Sequence, residues 1–352
     1  MVIIILIFVL GFFTWFGYQK YQHMQDQVSA LNFVVSQKSE EIEQVPGLRA
    51  NINQLETQLQ EKEEREKIYT ILAGGDIMMD RGVEAKLKKL KVDYNFSFDL
   101  LRNDLMQADL VFANLEGSIS DVGTDTGKAY SFRFEPVVAE ALSGAGIDIV
   151  SLANNHMLDW GRDSLCETTK HLTNVAVDYV GAGCETLEAE RPYIVNIGTT
   201  NIAFLAYTEF YIGAHATQNR PGMSEYDMEK ISARIKDLKN DANIDLIMVS
   251  MHWGEEYKAR ATDNQVDLGH QLIDAGADVI IGHHPHVDQE IERYKDGWII
   301  YSLGNFVFDQ SWSEETMQGL LAEIQIQNGR VYDIVPRPIQ LNENYQPELV
   351  KQ

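Results

Sequence analysis

Asp76, Glu116, Asn155, His156, His252, His284 and His286 are carboxylate, amide and imidazole side chains, and each follows a short apolar run of the chain. Such oxygen and nitrogen donors suit divalent metals such as manganese, iron and zinc. Gly74-Gly75-Asp76 offers a tight turn that presents a carboxylate, although an aspartate there can instead cap a helix. Asn114-Leu115-Glu116 offers a carboxylate able to bridge two ions. Ala153-Asn154-Asn155-His156 sets an amide oxygen beside an imidazole, so the amide can ligate while the ring stays free for proton transfer. Ser250-Met251-His252 is followed by Glu256, which could orient a ligand from behind. Gly282-His283-His284-Pro285-His286 places three of the chain's nine histidines within four positions, more ionisable rings than a structural turn needs.

Residues so scattered meet only if each ends its own strand, because the carboxyl ends of parallel strands open into one crevice. The apolar runs 69–73, 110–113, 147–152, 202–207, 246–250, 279–281 and 298–303 read as those strands. Between them, 81–90, 136–145, 163–173, 228–240 and 263–275 have helical periodicity, which gives an α/β fold. Segments 320–327 and 331–336, joined by Asn328-Gly329, predict a hairpin that closes the sheet. The tail from 343 to 352 is expected to be loosely attached.

Before residue 68 the pattern differs. Residues 2–18 are uncharged and almost wholly apolar, with Trp15 and Tyr18 suited to a membrane interface. No small-residue cleavage site follows, so residues 1–20 are expected to be a retained transmembrane anchor. Met24, Val28, Leu31, Val35, Ile42 and Val45 then step in heptads, Pro46-Gly47 interrupts, and Ile52, Leu55 and Leu59 resume. Residues 21–67 therefore predict a helical or coiled-coil stalk, through which the chain could form a homo-oligomer. A net charge of -24 argues against nucleic acid as a partner. Cys166 and Cys184 fit no zinc spacing and are expected as buried thiols, with a disulfide open to them in an oxidising compartment.

The runs GDIMMDR, NLEGS, SLANNHMLDWG, MHWGEEY, GADVIIGHHPHV and YSLGNFVFD, in that order, resemble the calcineurin-like metallophosphoesterases. They are most similar to the bacterial capsule-synthesis branch, the CapA or PgsA type of poly-γ-glutamate biosynthesis protein. The resemblance implies a four-layer α/β/β/α sandwich over 68–342 with one or two divalent ions at its edge. It implies Asp76, Glu116, Asn155, His252, His284 and His286 as metal ligands and His156 as proton donor to a leaving group. It also implies a single-pass membrane protein whose main domain is extracellular, working with other polymer-synthase subunits and handling an anionic polymer. No GxxxxGK[ST] loop is present, so an ATP-dependent ligase would be a partner. Met78 stands where the wider superfamily has a histidine, and Glu116 is longer than the aspartate it replaces. Two activities compete with the accessory role: a metal-dependent phosphoesterase and a γ-glutamyl hydrolase.

Overall fold

A computed structural model describes residues 25–30, 33, 46–210 and 213–350. The expected anchor and much of the expected stalk lie outside the described residues. Among those described, no helix is long and apolar enough to cross a membrane. Helix α1 (Pro46–Glu66) opens at the Pro46-Gly47 pair, since a proline in the first turn gives up an N–H that has no helical partner anyway. Contacts divide the chain after Lys67, and Ile68–Gln352 forms a compact unit of its own.

That unit opens with β1 (Tyr69–Ile77), α2 (Arg81–Leu90), α3 (Arg102–Gln107) and β2 (Leu110–Leu115). The short strands β3 (Ser118–Ile119) and β4 (Arg133–Phe134) pair with each other. There follow α4 (Val138–Ala145), β5 (Ile149–Ser151), α5 (Arg162–Asn174), β6 (Asp178–Val180), β7 (Ala182–Gly183) and α6 (Thr186–Ala189). Next come β8 (Tyr193–Ile197), β9 (Thr200–Thr208), β10 (Gly222–Met223), α7 (Met228–Lys239), β11 (Leu246–His252), α8 (Asp263–Ala275) and β12 (Val279–His283). The remaining strands are β13 (Ile291–Tyr294), β14 (Gly297–Ile300), β15 (Asn305–Val307), β16 (Gln318–Gln327), β17 (Arg330–Leu341) and β18 (Pro347–Leu349).

One sheet runs β18-β17-β16-β1-β2-β5-β6 and the other β13-β14-β12-β11-β9-β8. Each has a parallel run, β1-β2-β5-β6 and β9-β11-β12-β14, with antiparallel strands on one side of the first and on both sides of the second. Strand residues alternate between faces, and the alternation sorts the core into layers. Leu72, Val111 and Val150 pack with Val83, Leu142 and Leu165 of the helices outside the first sheet. Ile71, Phe112 and Ile149 meet Ile202, Phe204 and Met248 between the sheets, where Phe112 stacks on Phe204 at 5.5 Å. Leu205, Ile247 and Val249 pack on Ile231, Ile235 and Leu272 of α7 and α8. Helices, sheet, sheet, helices is the order expected of the α/β/β/α sandwich.

β1 changes partner halfway. Tyr69–Ala73 pair antiparallel with β16, whereas Asp76 and Ile77 pair parallel with β15. Gly75 lies at the change, and a Cβ there would sit 2.0 Å from the Gly304 carbonyl oxygen, an approach that only glycine permits. At the amino ends of the parallel strands a second device recurs. Asp109, Asp148, Asp245 and Asp278 each precede a strand, and their carboxylates accept from Thr70, Val111, Asn201 and Ile247 N–H at 2.7–2.8 Å. The backbone N–H of each aspartate donates back to the carbonyl of the same partner.

Three expectations need correction. The 320–336 hairpin forms, and its turn takes the left-handed conformations that Asn328 (φ 55°) and Gly329 (φ 69°) tolerate. It does not close the sheet, because β18 pairs outside β17. The segment after 343 is therefore stitched down: Pro347–Leu349 pair with Ile339–Leu341, and Gln346 Nε2 donates to the Phe96 carbonyl. Cys166 of α5 and Cys184 are not free thiols but a disulfide, with Cα atoms 5.4 Å apart.

Candidate metal centre

Asp76 and Glu116 come from adjacent parallel strands of the first sheet, and both are fully buried. Helix α2 is capped by Asp80, which leaves Asp76 to other partners. Asp76 Oδ1 accepts from Asn114 Nδ2 at 2.8 Å, and Oδ2 accepts from the His284 backbone N–H at 3.2 Å. Burial alone would raise the Asp76 pKa, but His283 and His286 beside it outweigh burial and hold it well below the usual carboxylate range. Glu116 differs. Neither of its oxygens has a hydrogen-bond partner, and burial together with the Asp76 charge pushes its pKa well above the usual range.

The imidazoles come from the second sheet. His252 ends β11, with Nε2 2.9 Å from Asn155 Oδ1 and Nδ1 3.4 Å from Asn114 Nδ2. His284 and His286 follow β12 in left-handed backbone conformations, φ 98° and 57°, an uncommon state for residues other than glycine and one that clusters at functional sites. His286 Nδ1 lies 3.0 Å from Asn305 Oδ1, and its Nε2 is 3.7 Å from Glu116 Oε1. His284 Nδ1 is buried without a partner, and its ring packs 4.2 Å from Phe210 and 4.9 Å from His252. Burial and the neighbouring His286 lower the His284 pKa to about 3, and burial with His284 beside it holds His252 well below its usual value. Both rings are neutral at pH 7, the form that binds metal.

His156 stands apart from this ligand cluster. Its Nδ1 is 2.6 Å from Asp159 Oδ2, its Nε2 faces Glu116 Oε1 at 3.8 Å, and its ring stacks on Phe132 at 4.0 Å. Burial lowers its pKa against the opposing pull of Asp159. Lys128 Nζ donates to the Asn155 carbonyl and lies 2.6 Å from Asp159 Oδ1. Lys128, Tyr130, Asn155, His156, Phe210 and Glu256 line a cleft of about 380 Å³ over the site. All seven residues expected from the sequence thus converge on one edge of the two sheets.

Asp159, Asn305 and Lys128 went unread as site residues. Asp159 and Asn305 lie inside motifs that were legible, and the three-residue step from His156 to Asp159 is itself a pairing signal. Lys128 sits in a polar loop with no pattern to mark it. Met78 is fully buried, and its sulfur accepts from the Asp80 N–H at 3.2 Å.

Among the described residues, two groups offer ligand atoms within 4.8 Å of one another: Asp76, Glu116 and His286, and Glu256, His284 and His286. Three orphaned buried atoms among them, both Glu116 oxygens and His284 Nδ1, are the sign that a cation fits. A buried polar group without a partner costs about 1–3 kcal/mol, and an ion held there would remove the penalty.

A profile of the family described as bacterial capsule synthesis protein PGA_cap matches residues 70–310. The capsule biosynthesis protein CapA of Bacillus anthracis is 36% identical over 287 residues, 79% of this chain and 69% of that protein. The PGA biosynthesis protein CapA of Bacillus subtilis is 30% identical over 291 residues, 79% of this chain and 76% of that one. Among solved structures, a hypothetical protein from Thermus thermophilus aligns at 17% identity and TM-score 0.49, covering 77% of this chain and 99% of its own. With its motifs, its two-sheet fold and a ligand cluster suited to a divalent cation, the chain belongs to the bacterial capsule synthesis protein family.

Proposed function

We propose that the chain is a membrane-anchored component of capsule or poly-γ-glutamate biosynthesis or export, with a metal-binding domain facing outward. The observation that carries this reading is the unpartnered Glu116 carboxylate, buried beside Asp76 and His286 in a member of the capsule synthesis family. Asp76, Glu116 and His286 would hold one divalent ion, manganese, iron or zinc. Asn155, His252 and His284 would hold a second. When bound, such an ion supplies Lewis-acid polarisation of a phosphoryl or carbonyl oxygen. The apolar residues 2–18 support anchoring, and the Cys166–Cys184 disulfide supports an oxidising exterior, since cytosolic thiols stay reduced. Partners on this reading are the other synthase subunits, including an ATP-dependent ligase, and the anionic polymer, with a homo-oligomer built through the stalk.

The His156–Asp159 pair favours a second reading, a metal-dependent phosphoesterase or γ-glutamyl hydrolase. Asp159 fixes the tautomer by accepting from Nδ1, which leaves Nε2 facing the cleft, and Phe132 covers the ring against water. As an imidazolium, His156 could give its Nε2 proton to a leaving oxygen or nitrogen. Complementation of a strain lacking its own copy separates the readings. Polymer output should fall strongly with His284→Ala and only partly with His156→Ala. A His156→Ala variant with normal metal and abundance but deletion-level output would make the chain an enzyme.

A further inference from the structure

Glu256 follows His252 on the turn that leads away from β11, and the local backbone aims it. Gly254 (φ 84°) and Tyr257 (φ 62°) are both left-handed, and for tyrosine this is a conformation that tertiary structure must impose. The imposing contact is visible: the Tyr257 N–H donates to the Pro285 carbonyl at 2.8 Å, which ties the turn to the His284-Pro285-His286 loop. The Tyr257 ring stacks over His286 with centroids 6.2 Å apart. Glu255 turns to Lys258, 3.9 Å away, whereas the exposed Glu256 carboxylate gathers with His284 and His286.

Three further observations bear on why a carboxylate is held there. Met78, two residues after Asp76, offers only a thioether, and its sulfur is engaged with the Asp80 N–H. His284, 5% exposed, keeps a buried Nδ1 that nothing in the protein satisfies. His286 belongs to both ligand groups, with the buried Asp76 and Glu116 in one and the exposed Glu256 in the other. Resting on the metal-binding reading above, we propose that Glu256 is itself a metal ligand, closing the solvent side of the centre and replacing the ligand that Met78 does not provide.

The consequence concerns reactivity. Catalytic metal sites keep a coordination position open to substrate, and structural sites close it. With an ion bound, a carboxylate on the cleft side would compete with a substrate oxygen for that position. Glu256 is therefore a cap that favours holding over turnover, in keeping with the accessory role.

The test uses the full chain loaded with cobalt(II), whose visible absorption reports coordination number, with affinity measured by chelator competition. Glu256→Ala should change the spectrum and weaken binding by at least about 10-fold, the lower end of the loss seen even for outer-shell partners. Glu256→Asp should recover part of both, and Glu255→Ala should alter neither. Hydrolysis of the model diester bis(p-nitrophenyl) phosphate should rise in Glu256→Ala at saturating metal. An unchanged spectrum and affinity in folded Glu256→Ala overturns the proposal while leaving the metal centre standing. Hydrolysis that falls with an unchanged spectrum also overturns it, by making Glu256 a substrate contact. A wild-type chain that binds no cobalt overturns the proposal and the metal-binding reading together.

Discussion

The two ends of the parallel strands carry the same chemical group and treat it in opposite ways. At the amino ends, Asp109, Asp148, Asp245 and Asp278 are each clasped to a neighbouring strand by a carboxylate and a backbone hydrogen bond. At the carboxyl ends, Glu116 is more deeply buried and accepts nothing, and Asp76 is crowded by imidazoles. A satisfied carboxylate contributes stability, whereas an orphaned one spends it. The fold thus separates the edge that fastens it from the edge that would grip a ligand.

The contrast can be broken from either end. The largest effect is expected from His284→Ala combined with His286→Ala, which should abolish co-purifying metal by elemental analysis while the circular dichroism stays native. Full metal content in that folded double variant would dissolve the distinction between the edges. Next, His156→Ala should keep its metal and lose about 10²- to 10⁴-fold in any hydrolytic rate, the usual share of a general acid. Retained activity would remove His156 from the chemistry. At the other edge, Asp278→Ala should lower stability by about 1.5–3 kcal/mol, the range for hydrogen bonds to charged groups, read as a lower urea midpoint. Its metal content should be normal. Metal loss there with little change in midpoint would mean that the fastening edge also sets the site.

Much of this was legible because local pattern and tertiary role agree. Arg81–Leu90 and Asp263–Ala275 are helices at the bounds their periodicity predicts, and Asn328-Gly329 turns as its residue types require. The site residues were legible because each ends an apolar run. Edge strand β8 was missed although Tyr193–Ile197 alternates in burial and ends at Gly198; its half-exposed residues lack the continuous apolar run that marked the central strands. Strand β18 was missed because three residues carry no periodicity and take their order from β17. The aspartate clasps had a signal, an acidic residue directly before an apolar run, that becomes meaningful only once two strands are known to be neighbours.

The partner change along β1 has a consequence for the order of assembly. β1 is the first strand of the domain to leave the ribosome, yet it cannot be completed until the last third of the chain has followed. Asp76 and the His284 backbone that donates to it are 208 residues apart, and β15 and β16, which flank one side of β1, come later still. Contacts of such separation form late and slowly, because their loop-closure entropy is met before any contact rewards it. The ligand cluster is therefore among the last features to appear during synthesis. A chain cut short before β15 keeps all nine histidines but lacks the strands that complete β1 beside them.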